Sequence, residues 1–495
     1  RMPTAVFFSN AIAARKEGES LSLSELRATA AVYPKESLYS ESDVQVMKKG
    51  SFASKVYDLV ESTLFTSHKR KLPKLGAITS VLMTLTNRKK GETPKSYPEE
   101  PFSPSFTKLT DPTNPFSCLG AKHVIAAIVM GALFGTSFEK GRVFEPWSVR
   151  GTMLFDKFLM LKMFLSAAAA SKFGFGLLSI LAPQKMKAAR EDFASCVEGK
   201  GLLAIVSGAA LLGAGMAISG GCPGMVLAQV GSGVQYSLVV LSGGFFGAFL
   251  FNQLAYPLRK YVYPIWRHER GHEHTVESSL NIPYPVLSLG LGAVFAGAVY
   301  GLETVFPWKS ELQSLNPAAY EALQAAGGLP AFSFSLDFFV KMYKSVAWPP
   351  AVAGALIGAL QVPAVLFLND TLGSATSYET LVNFVTSQLR GLGIFKAGKS
   401  YCWWQVVYVM CSIGGAYLSS HVAGVDTTAT PIESPLAAFI GGALLVFGSR
   451  IASGCTSGHG LSGMGLLYTN SLVAVAAMFG SGIATALGLR AAGFM

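Results

Sequence analysis

The sequence predicts an all-α polytopic membrane protein. Two inverted repeats of about four spans each are joined by a linker span, with discontinuous helices at two Gly-Cys loops. Three observations predict this. The 495 residues are 51% hydrophobic and only 14% charged, against about 25% charged in soluble domains. From residue 120 onward the chain is a succession of apolar runs, several near the roughly 20 residues that a spanning helix needs. Stretches of the first half recur in order in the second. The 52 glycines suit helices that pack closely in lipid.

Residues 1–119 read as a polar, largely flexible N-terminal extension, with the basic runs Lys69-Arg70-Lys71 and Arg88-Lys89-Lys90 and a proline-rich end at 97–115. Its apolar piece, 75–87, is too short to span a bilayer. Residues 1–16 hold no acidic residue, which keeps an organelle-targeting segment open beside the plasma-membrane reading. Candidate spans follow at 122–138, 158–182, 201–219, 235–257, 286–305, 349–368, 401–422, 437–452 and 470–487. The expected divisions are a first membrane repeat at 120–258, a linker with one span at 259–348 and a second repeat at 349–495.

The repeat rests on three alignments. Leu211-Leu212-x-x-Gly215-x-x-Ile218-x-x-Gly221-Cys222 matches Leu444-Leu445-x-x-Gly448-x-x-Ile451-x-x-Gly454-Cys455 at an offset of 233. Ser237-Leu238-Val239 matches Ser471-Leu472-Val473 at 234, and Gly131-Ala132-Leu133-Phe134-Gly135 resembles Gly354-Ala355-Leu356-Ile357-Gly358 at 223. An odd linker span between them turns the second repeat upside down. The positive-inside rule then puts 183–200 (Lys185, Lys187, Arg190), 258–285 (Arg259, Lys260, Arg267, Arg270) and 369–400 (Arg390, Lys396, Lys399) in cytoplasmic loops. Loop 423–436, on the other side, has no Lys or Arg. Lys140, Arg142, Arg150 and Lys157 disagree, which suggests a re-entrant segment or an entrance vestibule. The net charge of +11 forms no basic stripe interleaved with aromatics, so nucleic acid is not a partner; the lipid bilayer is.

Two glycine-cysteine motifs carry the chemistry, Ser219-Gly220-Gly221-Cys222-Pro223-Gly224 and Ser453-Gly454-Cys455-Thr456-Ser457-Gly458-His459-Gly460. Each follows a short apolar span and precedes a second apolar stretch, 225–230 or 461–467, as in a broken helix. Irregular backbone at membrane depth is tolerated only where protein or water satisfies it, so the loops line a site. Gly221, Gly224, Gly454 and Gly458 let a ligand approach the backbone. Pro223 suits an early helical position, and helix starts offer N–H groups and a positive dipole end to an anion. Thr456 and Ser457 add hydroxyl donors. Buried thiols at Cys222 and Cys455 stay neutral, and a weak S–H donor with a soft sulfur suits a substrate with a terminal sulfur. Cys118, Cys196, Cys402 and Cys411 read as packing residues, and no spacing fits a zinc ribbon or a disulfide framework. His459 reads either as a proton carrier or substrate donor or as a satisfied structural residue. Arg450 reads either as a site-facing cation or as ion-paired. Tyr401, Trp403 and Trp404 read as an interfacial belt.

The stretch 453–463, ending Gly460-Leu461-Ser462-Gly463, is similar to the signature of the YeeE/YedE sulfur-transport family, which includes bacterial thiosulfate importers. Ser219 to Gly224 resembles its partner motif. Glu139-Lys140-Gly141-Arg142 and Leu372-Gly373-Ser374-Ala375-Thr376 look like weaker family blocks. The resemblance covers about residues 120–490. It implies an hourglass-shaped inverted repeat passing thiosulfate or a related sulfur anion between cysteines, here Cys222 and Cys455. It also implies a soluble sulfur-carrier protein as a partner of the small bacterial members. One departure is the lack of a further cysteine after Arg142: either two thiols suffice or the substrate is not thiosulfate.

No ATP-binding motif is present, the glycine patterns lie in apolar spans, and neither an enzyme nor a cofactor is expected. Glu139 and Glu145 are the acids open as proton carriers. Two other classes stay open: a soft-metal (Cu or Zn) transporter using Cys222, Cys455 and His459, though with no Met cluster expected beside them, and a membrane sulfurtransferase with Cys455 as nucleophile and His459 as base.

Overall fold

In a computed structural model the described residues are 120–494, except 198, 266–274, 331–332, 390–401 and 424–433. The polar extension expected at 1–119 lies outside them, as does Tyr401. The described helices are, in order, α1 Ala121–Lys140, α2 Pro146–Met153, α3 Leu159–Leu181, α4 Pro183–Val197, α5 Leu202–Ser219, α6 Met225–Gly231, α7 Ser237–Pro257, α8 Val276–Leu280, α9 Tyr284–Val305, α10 Trp308–Leu315, α11 Pro317–Ala325, α12 Leu336–Lys344, α13 Pro350–Ala359, α14 Ala375–Gln388, α15 Trp403–Ala423, α16 Pro435–Ala452 and α17 Thr469–Ala491. Among the described residues there is no strand, only an isolated bridge between Thr275 and Tyr468.

Nine of these, α1, α3, α5, α7, α9, α13, α15, α16 and α17, are long and apolar enough to cross a membrane, α7 and α13 with their π-wound extensions to Val262 and Leu368. They coincide with the nine apolar runs of the sequence because lipid demands that each backbone polar group be bonded within its own segment. Their lipid-facing side chains, such as Leu181, Val294 and Tyr300, are exposed.

Small residues let the spans approach. Gly131 and Gly135 of α1 sit under the carbonyls of Tyr408 and Ser412 in α15, while Gly354 and Gly358 of α13 sit under those of Met163 and Ala167 in α3. At the centre α5 packs on α16: a Cβ on Gly448 would lie 2.6 Å from Gly208 O, and one on Gly215 2.7 Å from Leu445 N. α7 packs on α16, and α17 on α5. Charge appears where it is paired. Lys162 of α3 reaches Glu303 of α9 (3.0 Å) and Glu311 of α10 (2.8 Å).

Five details add to or differ from the sequence reading. Region 369–400, expected as a loop, carries the half-length helix α14, and the puzzling basic stretch 140–157 carries the half-length helix α2. The linker holds α8, α10, α11 and α12 as well as its span. The second motif does not precede a half-span at 461–467 but itself passes into a π-wound segment, Thr456–Gly463, because Gly458, Gly460 and Gly463 weaken the ordinary α-turn. Trp404 is not in a belt; it is buried and its Nε1 donates to Asp370 Oδ2 at 3.1 Å.

Candidate functional site

The two breaks are made alike. α5 ends where Gly220 turns left-handed (φ 68°), and α16 ends where Ser453 does (φ 70°). After the π-wound segment Leu467 is left-handed (φ 62°), as Gly233 is (φ 75°) after α6. Ending a helix inside apolar surroundings strands carbonyls that need donors. Arg150 of α2 supplies them to α5, Nε to Ala217 O (3.1 Å) and Nη2 to Ile218 O (2.8 Å). Gln229 of α6 adds Nε2 to Gly220 O and Phe144 O, both 2.9 Å. At the second break His459 Nε2 lies 3.0 Å from Ala452 O and its Nδ1 3.1 Å from Ser471 Oγ, while Lys200 donates to Arg450 O.

The loops then present their sulfurs. Cys222 is buried, with the Met225 N–H directed at its Sγ at 3.4 Å; the Gly224 amide and the Thr456 hydroxyl also face it. Cys455 is buried, with Ser457 Oγ 3.1 Å and Ser374 Oγ 3.8 Å from its Sγ. The amides of Ser374 and Gly458 also face it. Each sulfur therefore sits among two backbone N–H groups and at least one hydroxyl, next to the start of a broken segment. Tyr378 of α14 donates to Pro223 O of the first loop at 3.0 Å.

A cavity of about 50 Å³ opens beside them, lined by Cys222, Gly224, Met225, Thr456 and Ser457 of the two motif regions and by Phe134, Met160, Met163 and Phe164, among others. About 10–15 Å³ accommodates one water, so a few waters or one small anion fit. Thr456 Oγ1 also approaches the sulfurs of Met216 (3.7 Å) and Met478 (3.6 Å).

The structure thus brings together Cys222, Gly224, Thr456 and Ser457 on one cavity, with Cys455 behind Ser457. Gly221 backs onto the Gln229 amide, where a Cβ would lie 3.1 Å away, and Gly454 onto the His459 ring, 2.8 Å away. Both are spacers for the braces. Pro223 serves through its carbonyl, while Gly458 faces open space. His459 has both ring nitrogens on protein atoms and does not line the cavity. Arg450 is ion-paired with Glu379 and donates to Thr376 Oγ1 at 3.3 Å. Glu139 and Glu145 are buried with Lys140 and Arg142: Lys140 to Glu139 is 3.3 Å and Arg142 to Glu145 is 3.2 Å. The absence of methionine expected near the cysteines is overturned by Met160, Met163 and Met225 in the cavity wall. Sequence reasoning missed Tyr378 and Gln229, and quoted Ser374 only within a weaker family block, not as a site residue. Their signal was faint: a serine opening a short helix, and polar residues in otherwise apolar text. Among the described residues no group of His, Cys, Asp and Glu can hold a metal ion, and the five described cysteines are free.

Comparison with known proteins places this architecture. No curated protein matches the chain. A family described as sulphur transport matches residues 140–485, from the end of α1 into α17 and across both motifs. With nine apolar helices of spanning length among its described residues, the chain is an integral, multi-pass membrane protein. It belongs to the sulphur transport family.

Proposed function

We propose that the protein carries thiosulfate, or a related small sulfur-containing anion, along a narrow path on which the thiols of Cys222 and Cys455 hold it in turn. The observation that carries this reading is the setting of each sulfur, faced by two backbone amides and a hydroxyl at the start of a broken segment. Amides and positive helix ends favour an anion in an otherwise apolar wall. Sulfur and thioether groups favour a soft, polarisable end of that anion. Holding it at two successive weak sites keeps either from becoming a trap, as conduction requires.

The same reading makes the chain two inverted repeats, 120–258 and 349–495, with 259–348 as linker. Three features support it: α1 meets α15 as α13 meets α3, α7 meets α16 as α17 meets α5, and the left-handed residues at the breaks recur in register. The reading includes the soluble sulfur-carrier partner that the family resemblance implies. It describes transport rather than catalysis.

Sulfur-labelled thiosulfate uptake into proteoliposomes tests it. Uptake that excess unlabelled thiosulfate abolishes and excess sulfate leaves unchanged is the expected result; protein-independent uptake overturns the reading. A second reading, soft-metal transport, is favoured by the methionines in the wall, and Cu(I) uptake by the same vesicles would establish it instead. Nothing favours a sulfurtransferase, since His459 bonds Ala452 and Ser471.

A further inference from the structure

α14 touches both motifs. Its first turn carries Ser374 at the N-cap, and Tyr378 four residues on reaches the first motif at Pro223 O. Ser374 is 1% exposed, and its hydroxyl makes no capping bond to its own helix. An uncapped serine at this position is unusual, because its oxygen ordinarily accepts from the second or third amide of the helix. Here the oxygen points instead to Cys455 Sγ (3.8 Å), and a Cβ built on Gly224 of the other motif would lie 3.5 Å from it. Ser457 stands on the same sulfur at 3.1 Å and lines the cavity, which Ser374 does not. Cys455 is therefore a soft sulfur between two hard hydroxyls.

We propose that Ser374 and Ser457 hold the oxygens of a sulfur oxyanion whose terminal sulfur lies against Cys455, so that Ser374 selects such anions over hydrosulfide. This rests on the transport reading above and narrows its substrate class. Hydrosulfide has no oxygen for the hydroxyls and is held by sulfur alone. A site built to hydrogen-bond a group rejects the analogue lacking it, because its donors stay unpaired.

The test is labelled thiosulfate uptake by wild-type protein, Ser374→Ala and Ser374→Thr in proteoliposomes, with unlabelled hydrosulfide as competitor. In Ser374→Ala the KM for thiosulfate rises about tenfold, the effect of one hydrogen bond to a charged group. Maximal uptake and the inhibition constant of hydrosulfide stay at their wild-type values, and Ser374→Thr, which keeps the hydroxyl, restores the KM. If Ser374→Ala is not recovered folded, Ser374→Cys keeps the volume and shows the same loss of preference for thiosulfate over hydrosulfide. An unchanged KM, or equal losses for both anions, overturns the assignment. Loss of uptake in Cys222→Ala and Cys455→Ala with an unchanged Ser374→Ala overturns this inference alone; no uptake by wild-type protein overturns it together with the transport reading.

Discussion

Gly220→Ala strikes the point where the first broken span stops. Gly220 is left-handed (φ 68°), which costs a residue with a Cβ about 1–2 kcal/mol. The added Cβ would also lie 2.5 Å from Pro146 Cβ and 2.8 Å from its Cα, at the first turn of α2. Proline and backbone cannot step aside, so overpacking adds about 1–3 kcal/mol. The expected loss is about 2–5 kcal/mol in all. Two companion variants separate the terms. Gly233 is equally left-handed (φ 75°) but has nothing within 4 Å of a Cβ, so Gly233→Ala loses only the conformational part, about 1–2 kcal/mol. Gly297, inside α9 with open space around it, gains up to about 1 kcal/mol as alanine. Chemical unfolding in detergent micelles reads the series, with Gly297→Ala highest, then wild type, Gly233→Ala and Gly220→Ala. A Gly220→Ala protein no less stable than Gly233→Ala refutes the packing of α2 against this break.

Further outcomes follow from other sites. Ser453→Gly stabilises by up to about 1 kcal/mol, since the residue is left-handed (φ 70°) and its buried hydroxyl has no hydrogen-bond partner; unfolding midpoints check it. Lys162→Met leaves Glu303 and the buried Glu311 without their cation. That costs about 3 kcal/mol, the lower end for broken buried pairs because Glu303 is partly exposed, and adding Glu311→Gln recovers part of it. Burial raises the Asp370 carboxyl well above its usual value of 3.8. A raised carboxyl contributes stability that is full below 3.8 and lost as pH climbs through its folded value. The gain in stability of Asp370→Asn over wild type should therefore be larger at pH about 8 than at pH about 4; equal gains contradict it.

The spans were legible because nine stretches need no partner to declare themselves apolar, and the motifs were legible because glycine and cysteine interrupt that text once in each half. The half-length helices α2 and α14 were not. Segments such as Pro146 to Met153 mix Ser, Arg and Thr with apolar residues and show no apolar run, and the cation that places this helix, Arg150, finds its acceptors in the distant Ala217 O and Ile218 O. His459 was ambiguous for the same reason: whether its ring meets a substrate or braces a helix end is set by Ser471 and Ala452, which adjacency to Cys455 cannot reveal. The methionines of the cavity come from α3 and α6, two elements whose meeting no local pattern announces. Arg450 is legible as a cation that is either site-facing or ion-paired, but its partner Glu379 is not, because the sequence of α14 reads as a loop.

The central claim is that the two thiols form one path, and labelled thiosulfate uptake by Cys222→Ala and Cys455→Ala proteins in the same vesicles measures it directly. Both variants, eluting as folded wild-type-like particles, should lose uptake, each alone as fully as the double variant. Undiminished uptake by either one contradicts the account and returns that cysteine to packing.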